Sequence, residues 1–187
     1  NNTFIGSYAG ESVTGTRLTG GSNTAVGYFA GSELQGDAEN NTLIGRSAGI
    51  FLTGDGNTAI GKGAMGDANA DGTVGASNAN TFVGYKAGGG TWETAASSQN
   101  VAIGHQALDA NLNGASNNVC IGLNAMTAAT EAENNVGMGT GNLELLVDGT
   151  LNTSIGYDSE ASATDGTNQI MIGASITGVG DNYAVIG

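Results

Sequence analysis

Proline is missing from all 187 residues, and cysteine, histidine and tryptophan occur once each. Proline would remove a ladder donor from a sheet, so its absence suits a chain whose backbone N–H groups are used throughout. The lone Cys120 excludes an internal disulfide framework. Basic residues are scarce: four Lys and Arg stand against 17 Asp and Glu, giving a net charge of −13 and a pI near 4.1. The basic stripe required for nucleic-acid binding is lacking, and an anionic lipid surface would repel such a chain. No apolar run approaches the roughly 20 residues that span a bilayer, so membrane insertion is not expected. His105 has no Ser-His-Asp pattern around it, Cys120 reads as a small core residue, and no enzymatic activity is expected. The chain opens at Asn1 without a signal-peptide pattern and is expected to be a processed product or a segment of something longer.

What the chain does have is glycine, 34 residues of it, with 39% hydrophobic residues. Collagen would place glycine at every third position, and a disordered chain would be less hydrophobic. The glycines instead punctuate a repeat. An apolar-Gly pair ends each of eleven phrases, at Gly6, Gly27, Gly45, Gly61, Gly84, Gly104, Gly122, Gly139, Gly156, Gly173 and Gly187. Four residues before eight of these stands Asn23, Asn41, Asn57, Asn80, Asn100, Asn118, Asn135 or Asn152, and Asn2 precedes the first. Three residues after seven of the glycines stands alanine, Ala48 and Ala107 among them. Self-similarity at such a period is the mark of a repeat architecture, here one domain over residues 1–187.

Within a phrase such as Asn57-Thr58-Ala59-Ile60-Gly61, β-branched residues alternate, which describes one face of a short strand. The residue between them is small or apolar as well, so both faces need cover. Ile44, Ile60, Val83, Ile103, Ile121 and Ile155 are expected as core. Glycine then permits a corner, a second short strand is expected after it, and a Gly/Asn/Asp/Ser-rich linker closes the coil. One unit buries nothing alone. Stacked in parallel, about eleven short coils form an all-β parallel β-solenoid held by nearest-neighbour contacts. The recurring asparagines are expected to form a ladder of stacked amides. Ten intervals of about 4.8 Å give a rod about 48 Å long. The strand face turned away from the coil interior has no second element to cover it, so another copy of the chain is the expected cover.

The phrases NTAVGYFAG (23–31), NTAIGKGAM (57–65) and NVAIGHQAL (100–108) resemble the head repeats of trimeric autotransporter adhesins. They resemble still more the Asn-Thr-Ala-Ile-Gly-Tyr-x-Ala repeats of phage tail fibres. The ending NQIMIGASITGVGDNYAVIG (168–187) has the 14-residue spacing of the adhesin heads. The resemblance spans the whole chain and implies a left-handed parallel β-roll assembled as an intertwined homotrimer, with no catalytic residues. It implies an extracellular structural module, a shaft or head of a phage tail fibre, joined to neighbouring fibre modules and contributing to recognition of a host surface glycan or protein. The alternatives are a bacterial surface adhesin or self-assembling filament and, further off, a solenoid polysaccharide-processing enzyme, for which the basic residues are too few.

Two candidate sites remain. In GDANADGTVG (66–75), Asp67, Asn69 and Asp71 followed by Gly72 match the first half of a calcium loop, with Asn78 where the bidentate acid belongs. Calcium is thus the one candidate cofactor, against the plainer reading of a polar turn. Tyr28, Tyr85 and Tyr157 follow the repeat glycine and Trp92 lies in a linker. They are candidate glycan contacts, against the plainer reading that they cover a corner of the roll or the next subunit.

Overall fold

The computed structural model describes residues 1–11, 18–66, 77–93 and 95–187. Each phrase supplies one three-residue strand: β1 (Thr3–Ile5), β2 (Thr24–Val26), β3 (Thr42–Ile44), β4 (Thr58–Ile60), β5 (Thr81–Val83) and β6 (Val101–Ile103). The series continues through β7 (Val119–Ile121), β8 (Val136–Met138), β9 (Thr153–Ile155), β10 (Ile170–Ile172) and β11 (Ala184–Ile186). All eleven lie in one parallel sheet in sequence order, bounding about ten turns of a β-solenoid. Register is strict, phrase on phrase: Thr81 pairs with Val101, Phe82 with Ala102 and Val83 with Ile103. No described residue is helical.

The interior is set by the asparagines. Asn100 is fully buried, and two residues on, at the spacing that returns a strand to the same face, so is Ala102. The middle residue of each phrase therefore points inward: Leu43, Ala59, Phe82, Ala102, Cys120 and Met171 are all core. The alanine three residues past the glycine joins them, as Ala48, Ala64 and Ala107 do. This reverses the expected core. Ile44, Ile60, Ile103 and Ile155 are exposed, and Val83 and Ile121 only half-buried, because they occupy the opposite parity and face out of the coil. The buried amide fixes the parity of the strand, so the residue two after it fills the bore and the branched residue next to that one is turned outside. Burial of the thiol pushes the Cys120 pKa up, and its Sγ lies 3.1 Å from Met126 Sδ.

The expected second strand is a tight corner instead. Residues two and four past the glycine take left-handed backbone, φ 54° at Gln106 and 53° at Leu108, which curls the chain where a strand would extend it. Inter-coil hydrogen bonding nonetheless continues through the corner. Gln106 donates to the Tyr85 carbonyl and Leu108 to that of Ala125, each at 2.9 Å. The repeat glycine has two reasons to be glycine. Gly104 sits at φ 144°, and a Cβ there would strike the carbonyl oxygen of Gly122 in the next coil.

Candidate association surface

The asparagine ladder fixes the wall on which everything else is mounted. Asn100 Nδ2 donates to Asn80 Oδ1 at 3.2 Å and to the Ala115 carbonyl at 2.8 Å. Asn100 Oδ1 in turn accepts from the backbone N–H of Asn118 at 3.0 Å and from its Nδ2 at 3.1 Å. Each amide thus spans three coils, with both amide hydrogens and the oxygen satisfied. The pattern runs unbroken through Asn23, Asn41, Asn57, Asn80, Asn118, Asn135 and Asn152. Asn2 takes part at the start, its Oδ1 accepting from Asn23. Gln169 keeps the backbone bond to Asn152 Oδ1, but its longer side chain turns to Ser162 and Asp181.

Mounted outside this wall is a flank of β-branched and apolar side chains, two per strand. Ile60 is 37% and Ile155 42% exposed, whereas the middle residues between them and their neighbours are closed to solvent. Ile103, Met138, Ile170 and Ile172 continue the flank along the rod. Monomeric soluble proteins rarely leave so continuous an apolar strip uncovered.

Two rims border the flank. The left rim consists of the residues two before each ladder asparagine or the residue in its place, and several of their side chains form an outer ladder. Asp55 Oδ1 accepts from Glu39 N at 2.8 Å, Asn78 Oδ1 from Asp55 N at 2.6 Å, and Ser98 Oγ from Asn78 N at 2.9 Å. Near its far end Asp181 Oδ1 accepts from Thr167 N at 2.7 Å and Gln169 Nε2 at 3.1 Å, which holds that carboxyl below its usual range. The one sequence signal for this rim is that Glu39, Asp55 and Glu133 share one position in their phrases.

The right rim consists of the residue after each glycine. Tyr28, Tyr85 and Tyr157 are exposed here, together with Arg46, Lys62 and His105. The Arg46 guanidinium lies 5.8 Å from the Tyr28 ring centroid and the Lys62 ammonium 5.5 Å from that of Tyr85. His105 lies 4.9 Å from Tyr85, ring to ring. At the near end Tyr8, Tyr28 and Phe29 form a cluster, Tyr8 stacked on Phe29 at 4.8 Å.

Trp92 is not part of this rim. It is 2% exposed, packs edge to face on Phe82 at 5.8 Å, and donates its indole N–H to the Gly88 carbonyl at 3.0 Å. A side chain closed to solvent cannot stack on a sugar, so it leaves the set of glycan candidates. Asp67, Asn69 and Asp71 lie outside the described residues. Among the described residues no three His, Cys, Asp or Glu side chains converge to hold a metal ion. A shallow cleft of about 350 Å³ beside the right rim has Lys86 as its single ionisable lining residue and offers no acid–base pair. One buried polar atom among the described residues stands without a partner: Asn142 Oδ1, at the position that holds alanine in earlier coils.

Architecture and surface together define a repeat β-solenoid with one uncovered apolar flank. Set against known proteins, the chain matches no family profile, no curated protein and no solved structure.

Proposed function

We propose that the chain is a structural module of an extracellular fibre, of the phage tail-fibre kind, that works as a self-associated rod. The observation that carries this reading is the outward flank. Eleven strands in strict register present branched and apolar side chains on one side, and nothing within the described chain shields them. Burial of such a strip against copies of the same chain contributes about 25 cal/mol per Å² of apolar surface removed from water. An intertwined homotrimer of left-handed rolls, as the tail-fibre resemblance implies, is the arrangement proposed. Its ends would meet neighbouring fibre modules, and its role would be that of a stiff spacer contributing to host-receptor contact. The alternative setting is a bacterial surface adhesin or filament built on the same roll. The acidic surface suits an extracellular setting, and no cofactor is required by the reading; calcium at Asp67, Asn69 and Asp71 stays a separate candidate. Glycan stacking and subunit contact compete for the tyrosines of the right rim.

Sedimentation equilibrium of the isolated chain tests the reading. A mass three times that of the 18.3 kDa chain is expected. A monomer at every concentration would end it.

A further inference from the structure

Three of the four basic residues of the chain, Arg46, Lys62 and Lys86, stand in three successive coils at or next to the right rim. In a chain of net charge −13 this local clustering requires an account. Among the described residues, Arg46 and Lys62 meet only tyrosine rings, and no carboxylate of their own chain is paired with them. In the same coils the left rim carries Glu39 and Asp55, both exposed. Thus Glu39 precedes and Arg46 follows β3, while Asp55 precedes and Lys62 follows β4. Acid and base stand at opposite ends of one strand, on two adjacent levels.

We infer that these rims are the two halves of one subunit boundary, with Arg46 meeting Glu39 and Lys62 meeting Asp55 of a second copy of this chain. The inference rests on the self-association proposed above and specifies its geometry. A rotation about an axis parallel to the rod brings the right rim of one chain to the left rim of the next. It carries no translation, so each coil meets the same coil. Basic then faces acidic at both levels. At the levels that follow, Tyr85 faces Asn78, His105 faces Ser98, Leu123 faces Ser116 and Thr140 faces Glu133, with no like charges opposed. A two-fold axis perpendicular to the rod instead joins like rims and antiparallel chains, leaving both charge pairs unmade. Complementary charge of this kind sets register and partner choice more than raw affinity. The paired cations, held over Tyr28 and Tyr85, are placed at the boundary before association.

The test uses the full chain, with circular dichroism to verify β-structure in each variant. R46E/K62E opposes four acids at the boundary and is expected to weaken association about tenfold or more. The swapped variant E39R/D55K/R46E/K62D restores the pairs in reverse and is expected to recover most of that loss. In a second arm, E39C/R46C treated with a short bis-maleimide is expected to give covalent oligomers up to the closed ring, while E39C alone and R46C alone stay uncrosslinked; Cys120 is buried and does not compete. Dimers from E39C alone would place like rims together and overturn the inference. An R46E/K62E chain that associates as tightly as the unmodified one would overturn it too, while leaving self-association intact. A monomeric unmodified chain would instead remove the reading beneath it.

Discussion

The fifth coil and the eighth share a wall and almost nothing else. In the fifth, Phe82 points into the bore and Trp92 closes on it from the return segment. In the eighth, Gly137 occupies the place of Phe82 and Asn142 stands where the fifth has Ala87. The polar filling continues into the ninth coil: Asn142 Nδ2 donates to Ser154 Oγ at 2.9 Å, and Ser159 Oγ to the Gly173 carbonyl at 2.7 Å. The return is longer around the aromatic filling, 20 residues from Gly84 to Gly104 against 17 from Gly139 to Gly156. Register across the sheet is unaffected, since Gly137 pairs with Ser154 as regularly as Phe82 with Ala102. The wall is held by backbone and asparagine bonds that do not depend on what fills the bore. The filling has only to match the volume each return encloses and satisfy its own polar atoms.

Trp92→Ala strikes the aromatic coil where most of its filling lies. The indole is enclosed, and its removal leaves a void beside Phe82 that a wall fixed on both sides cannot collapse to fill. A loss of about 3–5 kcal/mol is expected, read as a lowered midpoint in denaturant titration. A loss under about 1 kcal/mol would mean that the return segment, rather than the wall, decides the size of the bore.

Much of this fold is legible in the sequence, for a definable reason. Asn-x-x-x-Gly recurs because the backbone ladder and the amide ladder both require it in every coil, so strand position, parallel order and register can be read directly. The direction of the strand faces is encoded too, but two signals compete for it. Asn57 and Ala59 share parity, and a buried amide ladder drags the small middle residue inward, which sends Ile60 out. Apolar character alone points the other way, since isoleucine in a monomer ordinarily goes inside. Trp92 misleads for the complementary reason: a linker position suggests exposure, but that return folds back over Phe82. The left rim is hidden because Asp55, Asn78 and Ser98 differ chemically while filling one structural role, that of accepting a hydrogen bond from the coil before. The corners pass for strands because left-handed backbone at Gln106 or Lys86 leaves no signature when glycine is not used.

A sharper cut through the polar coil pairs Gly137 with Asn142. A Cβ at residue 137 would lie 3.2 Å from Asn142 Oδ1 and from Met126 Cγ, closer than the neighbours allow without giving way. Gly137→Ala alone is therefore expected to cost about 1–2 kcal/mol. Asn142→Ala removes the unpartnered oxygen together with two hydrogen bonds, and is expected to lie within about 1 kcal/mol of neutral. Made together, the two changes install the Ala/Ala pair that Ala102 and Ala107 already form in the sixth coil. The double variant should recover most of the single loss, a coupling of about 1 kcal/mol between the sites. Strict additivity would show that the glycine is not there to make room for the amide.

The smallest effect concerns charge beside that same polar filling. Glu160 lies half-buried in the return after β9, and burial is the main reason its carboxyl is held above the usual carboxylate range. The nearby charges of Glu144 and Asp158 push it the same way, while the N–H groups of Leu145 and Glu144 oppose the shift. With the folded value raised, the native state keeps a proton that the unfolded chain has already released. Stability attributable to this group must fall as pH rises from the ordinary carboxylate value through the raised one, and stay lower above it. Glu160→Gln cannot ionise and still accepts from Glu144. The melting difference between the two proteins should therefore move in favour of Gln from pH 4 to pH 7, by less than about 1 kcal/mol, since the group is partly screened by solvent. The −13 background is shared apart from this one carboxylate, so a gap that stays constant over that range would show that burial does not govern this carboxyl and that the bore of the later coils is open to water at its edge.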